Sequence, residues 1–318
     1  HAEPDHASAL SKIYARNPKL QIYASRGGQI SIKRHHPQVE NINVVKTGDS
    51  ISIGKRTLRF FEAQMLHWPD SMFTYCPEDK ILFSTDAFGQ HFASPERFVD
   101  QVDQKGLWFE AEKYFACILT LYSAQILKKV EEFSKLGWEL AIIAPAHGLC
   151  WRENPGQIVE KYVEWSKGVN REAAVIVFDT IWGGTEAMGR AIADGLAEEG
   201  VSYRMFNAGG ADMHDVMTDV LTSKAVVLGC PTLNNGIVPT LALYLEELRG
   251  LKFRNKIGAA FGTYGWSGEG TKRIEAGLQE AGIEVVVSSA KCQFNPSAED
   301  LEKCRELGRE LAHKIKGS

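Results

Sequence analysis

No Cys-x-x-Cys pair occurs in the sequence; its six cysteines (Cys76, Cys117, Cys150, Cys230, Cys292, Cys304) stand far apart. That spacing excludes a zinc ribbon, a rubredoxin-type knuckle and a thioredoxin-type motif. At this density it predicts free thiols in a reducing cytosol rather than a disulfide framework. Long hydrophobic runs are missing too. The longest, LAIIAPA around Ala141 and ILTLY from Ile118, fall far short of the ~20 residues that a membrane-crossing helix needs, so no membrane span is expected. Nor is there a block of like charge: 36 Lys plus Arg against 40 Asp plus Glu leave a net charge of -4, which gives nucleic acid or an anionic membrane no generic attraction. GxxxxGK[ST] is absent, which excludes a P-loop nucleotide triphosphatase. There is no internal repeat and no low-complexity tract. The chain opens at His1 with neither Met nor a signal-peptide pattern and is read as truncated, processed or incomplete at its start; the cysteines carry the expectation of a cytoplasmic location.

What is present suits two ordinary globular cores: 318 residues, 44% of them hydrophobic. Between His35 and Phe88 short β segments alternate with turn signals (INVV, TGD, ISI, GKRTLRFFEA, KILFSTDAF). From Gln101 to Leu136 a helical period takes over, with Tyr114, Ile118, Tyr122 and Ile126 four apart, before LAIIAPAHG returns to a buried strand. A polar, helical connector covers roughly Arg152 to Glu172. After it, strand and helix alternate through AAVIVF, VSYRMFN, KAVVLG, KIGAAFG and IEVVVSS, with helices from about Thr185, Met213, Pro239, Gly270 and Ala298. Five β runs with intervening helices predict an α/β, doubly wound, five-stranded parallel sheet whose ligand sits outside the carboxyl ends of its strands. Two domains are expected, 1–170 and 171–318.

Seven residues of metal-ligating type mark the first domain. The chain begins HAEPDH, and in an extended segment His1, Glu3 and Asp5 project to one side while the adjacent His6 projects to the other; Pro4 is expected to keep the segment from turning helical. Downstream come His67 in MLHWPDSM, Asp86 in FSTDAFG and His147 in IAPAHG, each where a β run gives way to a loop. HxExDH followed by a lone His, an Asp and a His at these spacings resembles the ligand set of the flavodiiron proteins, and the resemblance covers the whole chain. It implies a metallo-β-lactamase-like αββα domain with His1, Glu3 and His67 on one iron, Asp5, His6 and His147 on the other, and Asp86 between them. Several strands normally precede HxExDH in that family and are absent here, so the resemblance also implies an incomplete first domain. Hydrolytic relatives carry HxHxDH and bind zinc; Glu3 in place of the second His adds a hard oxygen donor and negative charge, which suits iron cycling between ferrous and ferric states. Of the other histidines, only His91, close after Asp86, is placed beside the ligands.

The second domain opens with AAVIVFD and then TIWGGTEAMG, where Thr180, Ile181, Trp182, Gly183, Gly184 and Thr185 form a strand-to-helix turn able to hold a phosphate without lysine. The run resembles the flavodoxin phosphate loop, T-x-T-G-N-T in its commoner form. Two more loops stand at matching strand ends. One holds Pro231, Thr232, Leu233, Asn234, Asn235 and Gly236; the other holds Thr263, Tyr264, Gly265, Trp266 and Gly268. Their aromatics can lie against an isoalloxazine ring and their polar groups can bond its edge, so FMN is the expected cofactor beside the two irons.

The resemblance implies reduction of O2 to water or of two NO to N2O and water: two ferrous ions and one reduced FMN hold the four electrons that O2 requires. It further implies an external electron donor, rubredoxin in most of the family, and a head-to-tail homodimer or dimer of dimers. The rival reading is a zinc-dependent hydrolase of the metallo-β-lactamase superfamily with a fused flavin regulatory domain.

Overall fold

The computed structural model describes residues 1–317 and divides into two compact units, one from His1 to Ser166 and one from Lys167 onward. The first unit starts with α1 (Pro4–Ala7) and α2 (Leu10–Arg16), then β1 (Ile22–Ala24), α3 (Arg26–His35) and β2 (Ile42–Val44). β1 and β2 pair in parallel as a small sheet of their own, so INVV does not join the strands that follow it. Those are β3 (Ser50–Ser52), β4 (Thr57–Glu62), β5 (Met72–Cys76) and β6 (Ile81–Thr85), an antiparallel meander, to which β7 (Ile142–Pro145) adds in parallel beside β6. α4 (Gln104–Tyr114), α5 (Ser123–Ser134) and α6 (Gly156–Lys167) complete the unit.

Two local expectations fail. HAEPDH is not extended, because Pro4 occupies the first position of α1. There the missing N–H is no loss and the fixed φ favours a helix. Nor is the stretch around Tyr114–Ile126 one uniform helix: a π turn at Phe115–Leu119 and a 3-10 turn at Thr120–Tyr122 separate α4 from α5. Hydroxyls there compete for backbone carbonyls, with Thr120 Oγ1 donating to Phe115 O at 3.1 Å and Ser123 Oγ to Thr120 O at 2.6 Å.

The second unit follows its alternating pattern: β8 (Arg171–Phe178), α7 (Gly184–Glu198), β9 (Ser202–Asn207), α8 (Met213–Thr222), β10 (Ser223–Gly229), α9 (Pro239–Leu251), β11 (Ile257–Tyr264), α10 (Gly270–Glu280), β12 (Glu284–Val285), β13 (Ala290–Gln293) and α11 (Ala298–Lys316). The parallel order is β9-β8-β10-β11, with β12 and β13 both paired to β11; the expected fifth strand is thus two short pieces. Ala174 to Phe178 are all buried, as a central parallel strand covered on both faces requires. Ala174, Ile176 and Phe178 pack with Ile192 and Leu196 of α7 and Leu307 and Leu311 of α11. The order reverses at β8, so the crevice between the carboxyl ends of β8 and β10 is the position where such sheets take a ligand.

α7 and α11 cross at two glycines. A Cβ on Gly195 would lie 2.0 Å from Arg305 O, and one on Gly308 would lie 2.2 Å from Ile192 O. Gly308→Ala should therefore force the helices apart and destabilise the second unit by about 1–3 kcal/mol, read as a lower urea midpoint by circular dichroism. An unchanged midpoint would show that the helices can slide without cost.

Candidate metal centre and flavin cleft

Four segments of the first unit deliver side chains to one point. Asp86 follows β6 in a tight turn, where Gly89 N donates to Asp86 O at 3.0 Å and Ser84 Oγ to Ala87 O at 2.7 Å. His147 follows β7, whose end is tied to β6 by Ala146 N donating to Thr85 O at 2.7 Å. His67 lies in the loop from β4 to β5, the segment leading into α1 supplies His1 and Glu3, and the turn of α1 supplies Asp5 and His6.

The Asp86 carboxylate, 1% exposed, divides these groups between its two oxygens. Oδ2 lies 3.1 Å from His1 Nε2 and 3.6 Å from His67 Nε2, and Glu3 Oε2 is 3.1 Å and 3.6 Å from the same two nitrogens. Oδ1 lies 2.9 Å from His6 Nε2 and 3.3 Å from His147 Nε2, and Asp5 Oδ2 is 3.4 Å and 3.2 Å from those two. His6 is within reach of both groups; its shortest contact, to Oδ1, places it in the second. Because α1 is helical, Asp5 and His6 reach the site together, which an extended strand would prevent.

These separations fit metal ions. Donors bonded at about 2.1 Å to one ion stand roughly 3.0–3.4 Å from each other at octahedral or tetrahedral angles. Asp86 Oδ2 and His6 Nε2 are buried without a hydrogen-bond partner among the described residues, and buried polar groups are rarely left so. Burial first, then the Asp5 carboxylate, hold the Glu3 carboxyl above its ordinary range. Glu3, Asp5 and Asp86 thus repel one another unless cations sit among them.

The surroundings include residues that the pattern did not single out. Gln90 is fully buried and clamps the loop after His147. Its Nε2 donates to Leu149 O at 3.0 Å, its Oε1 accepts from Leu149 N at 2.8 Å, and its own N donates to His147 O at 3.2 Å. The Tyr114 ring lies 6.2 Å from that of His147 and the Tyr122 ring 6.4 Å from that of His67. Burial, reinforced by Asp86, pushes the Tyr114 phenol far above its usual range, so it stays protonated. His91 stacks edge-on to His147 at 5.7 Å, and burial lowers its pKa.

In the second unit a cleft of about 640 Å³ opens at the strand ends, within the range of small-ligand sites. Thr180, Ile181, Trp182 and Gly184 line it from the first loop, Pro231, Thr232 and Leu233 from the second, and Thr263, Tyr264, Gly265 and Trp266 from the third. Trp182 and Trp266 are 90% and 93% exposed, an unusual state for such large apolar surfaces. Gly183 caps α7 with φ at 83° and no side-chain bond, so the first-turn N–H groups remain available to an anion. Thr180 Oγ1 accepts from Gly183 N at 3.0 Å, shaping the turn, and Thr185, behind it, shares a 3.0 Å hydrogen bond with Thr263.

Gly183, Thr185, Asn234, Asn235, Gly236 and Gly268 do not line the cleft. Asn234 and Asn235, at φ of 48° and 57°, form the turn closed by the Leu233–Gly236 backbone pair; Gly268 backs the Tyr264 ring. Phe294 and Asn295, from the loop between β13 and α11, do line it and were missed, because the sequence around them shows neither a Gly-rich turn nor a motif. Phe294's exposure of 67% is visible only in the fold.

A metallo-β-lactamase fold with a divided carboxylate–histidine centre, joined to a doubly wound domain with a phosphate-type loop, defines a two-cofactor redox class. Comparison with known proteins agrees. Residues 1–148 match the "ODP family beta lactamase" family and residues 176–308 the flavodoxin family. The chain is 44% identical to the nitric oxide reductase of Moorella thermoacetica, over 99% of this chain and 79% of that one. It is also 44% identical to the anaerobic nitric oxide reductase flavorubredoxin of Escherichia coli O1:K1, over 98% of this chain and 66% of that one. The solved structure of rubredoxin oxygen:oxidoreductase from Desulfovibrio gigas superposes with a TM-score of 0.97 at 35% identity, over 100% of this chain and 80% of that one. The chain belongs to the flavodiiron family of oxidoreductases. Among the described residues no disulfide forms, and no helix is long and apolar enough to cross a membrane.

Gln90→Leu keeps much of the volume but strands the Leu149 N–H and C=O in a buried loop. It should destabilise the first unit by about 2–4 kcal/mol, seen as an earlier unfolding transition in urea. A shift under about 1 kcal/mol would show that the loop is held by other contacts.

Proposed function

We propose that this chain reduces O2 to water, NO to N2O, or both, at a diiron centre refilled by FMN. The division of Asp86 between two donor sets carries the reading. In it, His1, Glu3 and His67 would hold one iron, Asp5, His6 and His147 the other, and Asp86 would stand between them. Bound iron would supply one-electron redox chemistry there, and bound FMN would supply the electrons. The residues do the rest. Three carboxylates offset the cationic charge, the Gln90 clamp fixes the His147 loop, and the protonated Tyr114 phenol offers a hydrogen-bond donor beside the His147 side of the centre. In the flavin cleft the N-terminus of α7 with Thr180 takes the phosphate, Thr185 and Thr263 brace it, and Trp182, Tyr264 and Trp266 flank the ring.

Glu3 favours iron chemistry over the zinc hydrolase alternative, since a hard carboxylate stands where hydrolytic relatives have an imidazole. An external donor of rubredoxin type is inferred from relatives named for one. A head-to-tail dimer or dimer of dimers is the working unit that the family resemblance suggests.

Elemental analysis after growth in iron-replete medium should find two irons per chain; two zincs and no iron would favour the hydrolase. Thr185→Ala removes a hydroxyl that braces the phosphate loop and should weaken FMN binding about 5–150-fold, equivalent to roughly 1–3 kcal/mol, in a fluorescence titration of the apoprotein. Unchanged affinity would remove Thr185 from the phosphate site.

A further inference from the structure

Asp70 stands three residues after His67, is 2% exposed, and faces no solvent that would account for a charged side chain. Its Oδ2 accepts a hydrogen bond from Ala2 N at 3.0 Å. Ala2 lies between His1 and Glu3, and its methyl is buried against Tyr14, Ala24, Ile32 and Val39. The backbone of Asp70 is fixed in turn. Ser25, which caps α3 by accepting from Gly28 N at 3.0 Å, donates its hydroxyl to Asp70 O at 3.0 Å, and Gly27 packs against Asp70 so closely that an added Cβ would lie 3.1 Å from the Asp70 Cβ. The turn joining Asp70 to His67 is pinned as well, with Trp68 N donating to Ser71 Oγ at 3.1 Å and Ser71 N to Trp68 O at 3.2 Å.

His1, Glu3 and His67 are the donors gathered around Asp86 Oδ2, and all three connect to Asp70, two through Ala2 and one through the Trp68–Ser71 turn. Asp5, His6 and His147 gather around Oδ1 and are held by α1 and the Gln90 clamp instead. Asp70 Oδ1 and His1 Nδ1 are both buried without a hydrogen-bond partner among the described residues. Loss of a hydrogen-bond partner behind the metal ligands typically weakens metal binding 10- to 100-fold; Asp70 acts on the backbone between two of the donors rather than on an imidazole nitrogen.

We propose that Asp70 is a positioning residue for one metal of the pair, the ion on the Asp86 Oδ2 side, and not for the other. The proposal rests on the two-metal reading above. Asp70→Ala removes the acceptor for Ala2 N; Asp70→Asn keeps an acceptor oxygen and the shape.

The test loads full-length wild type, Asp70→Ala and Asp70→Asn with ⁵⁷Fe under identical conditions, then dialyses them against a chelator. Metal content and Mössbauer spectra are recorded, with circular dichroism reporting the fold. Wild type should retain two irons in two environments; failure to do so overturns the two-metal reading itself. Asp70→Ala should fall toward one iron per chain, with its first iron about 10- to 100-fold weaker and the second environment's spectrum unchanged, and Asp70→Asn should restore most of the loss. Full retention of both irons by Asp70→Ala, equal loss of both from a folded chain, or an Asp70→Asn variant as depleted as Asp70→Ala would each overturn the positioning role. Should Asp70→Ala not fold, the near-isosteric Asp70→Leu, which lacks the acceptor for Ala2 N, takes its place: selective loss of the Oδ2-side iron supports the role, and two irons in unperturbed environments overturn it.

Discussion

One buried carboxylate organises the first unit. Asp86 presents each oxygen to a different set of one carboxylate and two imidazoles, at 2.9–3.6 Å from the imidazole nitrogens. An ionised carboxyl group at 1% exposure is costly to bury unless charge or hydrogen bonds compensate it. Here much of the compensation is left to cations: Oδ2 finds no hydrogen-bond partner among the described residues, and Glu3 and Asp5 add repulsion. The fold holds the three carboxylates together through backbone ties remote from them, and metal binding then releases the electrostatic strain. Affinity and folding are linked in such an arrangement.

The two units solve different problems with the same device, a strand that ends where chemistry begins. In the first, β6 and β7 lie side by side and stop at Asp86 and His147, so the positions of two ligands are set by one parallel ladder. In the second, β8, β10 and β11 stop at the three loops of the flavin cleft. The two environments contrast sharply. Among the metal donors Asp86 is buried, Asp5 is exposed and the rest are half-buried, whereas Trp182 and Trp266 are almost wholly exposed.

Much of this was legible in the sequence, for identifiable reasons. Continuous apolar runs such as AAVIVF have one stable home, a covered parallel strand, and the doubly wound order followed from their alternation with helices. The candidate ligands were marked by the HxExDH run and by His67, Asp86 and His147 at strand ends, and the structure gathers the other six around Asp86. What escaped depended on context. Pro4 was read as a helix breaker when its place at the first helical position makes it a helix starter, and that error sent His6 to the wrong side. The π turn after Tyr114 left no trace in the four-residue period. Gln90 and Asp70 are ordinary polar residues whose partners lie 59 and 68 positions away, beyond the reach of any local pattern. Phe294 belongs to the flavin cleft only because β13 ends beside β11.

The central claim is that Asp86 joins two irons into one centre. Iron K-edge X-ray absorption of the iron-loaded full chain tests it most directly. The account predicts two irons per chain with an iron–iron scattering shell at about 3.5–4 Å, the spacing of bridged two-metal sites. Two bound irons with no metal–metal shell would show two independent sites and contradict it.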